Sequence, residues 1–119
     1  MAKKRLTKWE KVEAGEYRRL MLIYSNLPSN RLAVAEGLIR QAARLRARLD
    51  MLWADLQANG ETEIFTQSEK TDPYERERPA SRTFTATDKS YQAIIKQLND
   101  MCPEAEAKDA LTEFLNSDG

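Results

Sequence analysis

Apolar residues near the start of the chain fall on one helical face: Trp9, Val12, Tyr17, Leu20, Met21 and Tyr24. Thr7-Lys8-Trp9-Glu10 opens that segment in the form of a capping box, with Thr at the N-cap and Glu three residues on. The pattern predicts a helix over residues 8–25. Gly15 weakens it by about 1 kcal/mol relative to Ala. Pro28 ends it, because proline has no amide hydrogen to donate and pushes Leu27 out of the helical region. Ser29 can cap a second helix, and no proline interrupts residues 29–59. Asn59-Gly60 then offers a left-handed stop. At about 1.5 Å per residue this central helix is roughly 45 Å long.

Its apolar positions step regularly. Ala35, Leu38, Ala42, Leu45, Leu49, Leu52 and Leu56 are separated by 3, 4, 3, 4, 3 and 4 residues, which is a heptad seam. Ile39 and Trp53 widen the stripe on one side. Two readings stay open. Leu38, Leu45, Leu49, Leu52 and Leu56 form an interface between copies of the chain, or the seam packs on helices of the same chain.

Residues 60–80 change character to a polar arm bounded by prolines, in which Glu61 to Phe65 reads as one short strand or an extended stretch. A connection of that length is usually functional or reaches a neighbour. Alternating Glu and Arg at Glu75–Arg78 can pair internally or across an interface. A third helix follows over residues 80–101, with Phe84, Tyr91, Ile94, Ile95, Leu98 and Met101 on its apolar face. Pro103 fits the first position of a short fourth helix carrying Leu111, Phe114 and Leu115. The fold class expected is all-α: one helical domain built on a long central helix, with shorter packed helices and an extended arm.

Charge sharpens this picture. The formal net charge is zero, but residues 1–48 hold 12 Lys/Arg against 4 Asp/Glu, and residues 49–119 hold 7 against 15. The halves are therefore +8 and −8. The sign changes between Arg48 and Asp50, inside the central helix. A basic first half suits a polyanion, and opposite halves permit head-to-tail attraction between copies.

Other chemistry is thin. The chain has no histidine, which removes the commonest general base and metal ligand. Cys102 is the only cysteine, so neither an internal disulfide nor a zinc site of the usual kind is expected. The paired acids Glu61/Glu63, Glu75/Glu77 and Glu104/Glu106 lie in polar surroundings and read as solvated. No Gly-rich phosphate loop is present. No enzyme, cofactor or metal is expected. No apolar run is long enough for a membrane span, no signal peptide follows the basic start, and a cytoplasmic location is the expectation.

The basic residues carry the sharper hypothesis. Lys3, Lys4, Arg5, Lys8 and Lys11 cluster at the start, Arg18 and Arg19 follow, and Arg40, Arg44 and Arg48 recur every four residues on the central helix. Such a stripe can track duplex DNA phosphates, or its Arg stems can shield the Leu seam. A helix-turn-helix over Lys8 to Arg48 is a further option, although its second helix is longer than a usual recognition helix.

The string Gln67-Ser-Glu-Lys-Thr-Asp-Pro-Tyr-Glu-Arg-Glu-Arg-Pro79, with Tyr91-Gln-Ala-Ile-Ile-Lys-Gln-Leu98 and Pro103 after it, resembles phage terminase small subunits. So does the Ala/Arg/Leu face of the preceding helix. The resemblance covers residues 30–104. It implies a non-catalytic DNA-packaging protein that forms a homo-oligomeric ring, contacts DNA through its basic N-terminal part and engages a large terminase subunit near its C-terminus. The chain departs from better-known members in lacking a compact N-terminal helix-turn-helix domain. The alternatives are a helical scaffold without nucleic-acid binding and a DNA-binding regulator.

Overall fold

The computed structural model of the chain describes residues 6–102. The expected fourth helix and the Lys3-Lys4-Arg5 cluster lie outside those residues. The order of elements is α1 (Lys8–Ile23), α2 (Ser29–Asn59), β1 (Thr62–Phe65), β2 (Tyr74–Glu77) and α3 (Pro79–Asp100). The chain is mostly helical, as the apolar periodicity requires, with a small two-stranded sheet added.

Helix α1 starts as its capping box dictates. The Thr7 hydroxyl accepts the Glu10 amide at 3.1 Å. The helix ends at Ile23, two residues early, because Tyr24 and Leu27 turn inward and are 4% and 6% exposed. The connecting turn is therefore part of the core. Helix α2 differs from expectation at its start. Pro28 occupies the N-cap and Ser29 is the first helical residue, so no side chain caps it. At its other end Gly60 has φ 83° and ψ 172°, a region that is essentially open to glycine alone, and its amide bonds to the Leu56 carbonyl at 2.8 Å.

The α1–α2 unit is an antiparallel helical hairpin, not a helix-turn-helix. Contacts persist along the whole of α1. The Tyr17 hydroxyl reaches Glu36 at 2.9 Å, Glu13 lies 3.7 Å from Arg44, and Trp9 shares a groove with Leu52. Two helices crossing near a right angle would part within a turn or two of their corner. Helix α3 also runs antiparallel to α2, from Phe84 against Trp53, with ring centroids 5.7 Å apart, to the Met101 carbonyl, 3.1 Å from Arg31. So α2 is a spine with a helix along each side.

This answers the question of the seam. Leu49 and Leu56 are 1% and 5% exposed within the chain, so they leave no surface for another copy. As parts of an oligomer interface they are corrected. Leu38, Leu45 and Leu52 are half-buried. The buried stripe is also wider than a seam, because it serves two flanking helices. It takes in Ile39, Ala43 and Ala47 beside Ala35 and Ala42. The alanines let neighbouring backbones approach closely. The core joins Leu20, Tyr24 and Leu27 to Ala35, Ile39, Ala42 and Leu98. Full burial of a side chain such as Ile39 or Leu98 contributes roughly 1.5–3 kcal/mol.

Residues 60–80 are a β-hairpin and not merely an arm. Thr62 pairs with Glu77, Glu63 with Arg76, Ile64 with Glu75 and Phe65 with Tyr74. Period-two alternation puts Glu63, Phe65, Tyr74 and Arg76 on one face. There Arg76 bonds Glu63 at 2.8 Å and lies 3.5 Å over the Phe65 ring, which meets Tyr74 edge-on. Thr62, Ile64, Glu75 and Glu77 form the other face.

Candidate nucleic-acid interface

The outward side of α1 gathers basic side chains at helical spacing. Lys8, Lys11, Gly15, Arg18 and Leu22 are all exposed and follow steps of three and four residues. Leu20, Glu16 and Tyr24 occupy the opposite, buried side. Lys8 to Arg18 spans about 15 Å along the axis. Lys11 and Arg18 have no ion pair among the described residues, and the Lys8 ammonium lies 4.9 Å over the Trp9 ring. At the centre of this face Gly15 presents bare backbone, with nothing within 4 Å of where a Cβ would stand.

The other cations singled out in the sequence are differently placed. Arg19 is held by Glu16, with Nε 2.6 Å from Oε1 and Nη2 2.9 Å from Oε2. Glu16 is 7% exposed and also accepts the Tyr91 hydroxyl at 2.7 Å, a bond that ties α1 to α3. Burial would raise its carboxyl pKa, but the bonds from Arg19 and Tyr91 outweigh burial and hold it below the usual value. Arg40 bonds Glu36 and stacks 5.0 Å over the Tyr17 ring. That bond, and the one from Tyr17, keep the Glu36 carboxyl low. Arg44 pairs with Glu13 at 3.7 Å, 63% exposed. Arg48 is exposed and lines the groove between the start of α1 and the middle of α2. The structure therefore divides the expected basic set. Lys8, Lys11 and Arg18 share one open face, Arg19, Arg40 and Arg44 are neutralised by carboxylates, and Arg48 stands apart.

Two features escaped the sequence. Arg46 pairs with Asp50 at 3.0 Å and lies 5.2 Å over the Tyr91 ring. Its four-residue spacing from Asp50 was the available signal. Arg78 was read as one of an alternating run. It clamps the hairpin to the end of α2, donating to the Gly60 carbonyl at 2.8 Å and to both Asp55 oxygens at 3.1 and 3.2 Å. Asn59 and then Arg78 hold the Asp55 carboxyl below its usual value.

The paired acids do not converge on a cleft. Glu63 pairs with Arg76, Glu75 accepts from Thr62 at 2.8 Å, and Glu77 lies 3.6 Å from Arg82. Glu104 and Glu106 fall outside the described residues. Cys102 is half-buried at the end of α3, with Sγ 3.6 Å from the Leu98 carbonyl. Among the described residues no group of His, Cys, Asp and Glu is arranged to hold a metal ion, and no helix is long and apolar enough to cross a membrane. Compared with protein-family models, curated proteins and solved structures, the chain matches none.

Proposed function

We propose that this chain is a non-catalytic DNA-packaging adaptor of the small-terminase type, acting as a homo-oligomer and contacting duplex DNA through the outer face of α1. The observation that carries the DNA contact is the alignment of Lys8, Lys11 and Arg18 on one exposed face around Gly15. A stripe of cations without carboxylate partners attracts phosphates strongly, and bare backbone at its centre lets a phosphodiester chain come close. Lys3, Lys4 and Arg5 add charge to the same end of the sequence. What ties the contact to packaging, and to a large terminase subunit as partner, is the resemblance carried by residues 67–79 and 91–103.

Fluorescence anisotropy with duplex DNA across a salt series tests the reading. Binding should weaken steeply with salt. Replacing Lys8, Lys11 and Arg18 with Ala should reduce the slope of log affinity against log salt by about 2–3, at about 0.9 per phosphate contact. Absence of binding at low salt refutes it.

The ion pairs at Arg19, Arg40 and Arg44 favour a second reading, a helical scaffold that binds no nucleic acid. Under that reading the same titration stays flat while association with protein partners persists.

A further inference from the structure

The β-hairpin is incompletely accounted for by its own chain. Among the described residues its polar contacts with the helices (Arg78 with Asp55 and Gly60, Glu77 with Arg82) all sit at its base. Its ring contacts among the described residues are internal, through Arg76, Phe65 and Tyr74. A lone two-stranded hairpin is marginal in water. Its second face carries Ile64, 71% exposed, between the exposed carboxylates of Glu75 and Glu77. Residues 60–80 hold six carboxylates against three cations. Two of those cations, Arg76 and Arg78, are consumed by internal pairs.

The complement lies on the same molecule, in the groove between the start of α1 and the middle of α2. Trp9, Met51 and Leu52 line it with apolar surface, and Met51 is 45% exposed. Arg44 and Arg48 stand along it with two carboxylates, Glu13, which is paired with Arg44, and Glu10, so Arg48 is the cation it offers at its edge. The hairpin does not fill the groove of its own copy, since Ile64 and Met51 both remain exposed while Arg78 holds the hairpin base on Asp55. A second copy supplies what the first lacks.

We infer that the Ile64 face of the hairpin docks into the α1–α2 groove of a second copy of the chain. Ile64 enters between Met51, Leu52 and Trp9, and Glu75 and Glu77 meet Arg48 at the edge. Each copy then offers one hairpin and one groove, so the contact is head-to-tail and propagates around a closed ring or along a filament. It matches the +8 and −8 halves of the sequence. It leaves Lys11 and Arg18, which do not line that groove, uncovered. The inference deepens the homo-oligomer part of the proposed function and is independent of the DNA contact.

Light scattering of the full chain after gel filtration, at about 50 to 500 mM salt, is the test. The wild type should associate at micromolar concentration and dissociate as salt rises. Ile64→Asp should weaken association at least about tenfold, the loss expected for one buried anchor. Glu75→Lys with Glu77→Lys should do the same, and so should Arg48→Glu. Glu75→Lys, Glu77→Lys and Arg48→Glu combined in one chain, with Ile64 kept, should restore association, which loss of folding would not allow. Circular dichroism checks the helices in each variant. A monomeric wild type at low salt overturns the inference. So does an oligomer that Ile64→Asp and the charge reversals leave intact, although that oligomer would spare the proposed function. The DNA titration fails or succeeds on its own.

Discussion

Replacing Tyr91 with Phe isolates a single bond between α1 and α3. The hydroxyl lies 2.7 Å from Oε2 of Glu16, which is otherwise held by two bonds from Arg19. The variant keeps the ring and the Arg46 guanidinium above it. A hydrogen bond to a charged group contributes about 1.5–3 kcal/mol. Tyr91 is half-buried and Glu16 is not orphaned, so the value falls at or just below that lower end, about 1–1.5 kcal/mol, or about 3–7 °C in Tm. The pH dependence follows from the direction of the Glu16 shift. Its carboxyl pKa is below the usual value in the folded chain, so the stabilisation is full above the unfolded carboxyl pKa of about 4.3 and is lost as pH falls through the folded value. The Tyr91→Phe penalty should therefore shrink on acidification. Urea denaturation followed by circular dichroism at neutral and acid pH measures both numbers. A double-mutant cycle with Glu16→Gln should assign most of the loss to the pair. A penalty under about 0.3 kcal/mol at neutral pH, or one that is equal at both pH values, would refute the account.

Gly15→Ala and Gly37→Ala should each raise stability by about 0.5–1 kcal/mol in thermal melts, since both lie mid-helix with open space at the missing Cβ. Gly60→Ala should lower it by about 1–3 kcal/mol, because no alanine is comfortable at φ 83°. Leu98→Ala removes a fully buried side chain and should cost about 2–5 kcal/mol by urea denaturation. Arg78→Ala should leave helical circular dichroism intact while amides of residues 62–65 and 74–77 exchange at least about tenfold faster, as the hairpin loses its anchor.

The helices were legible because their signals are local. Thr7 caps α1, Pro28 and Gly60 bound α2, and Pro79 opens α3 one residue before the expected start. The second strand was not, because Tyr-Glu-Arg-Glu has no apolar alternation and charged residues are poor strand formers. Its period of two was visible only as alternating charge, and the Glu63–Arg76 pair that gives it meaning joins residues far apart in sequence. The seam was visible as a regular run of Ala and Leu, but spacing does not say which chain supplies the partner. Ile39, Ala43 and Ala47 widen it for two helices, and only the folded arrangement shows that. The candidate site was legible as a set of cations and not as a subset. Whether an arginine is open or neutralised depends on carboxylates such as Glu13, which comes from the helix opposite.

The spine arrangement has a kinetic consequence. α1 packs on α2 and β1 on β2 directly along the chain, whereas α2 packs on α3 across the intervening hairpin. Pairings between neighbours in the chain close at lower entropic cost than those across a longer separation. All of α1 and α2 precedes α3 in the chain, so both are synthesised before it. Besides the apolar core, Glu16–Tyr91 and Tyr24–Asn99 join α1 to α3 by hydrogen bonds, each across 75 residues. Both bonds require α3 to be docked, so they latch the three helices together.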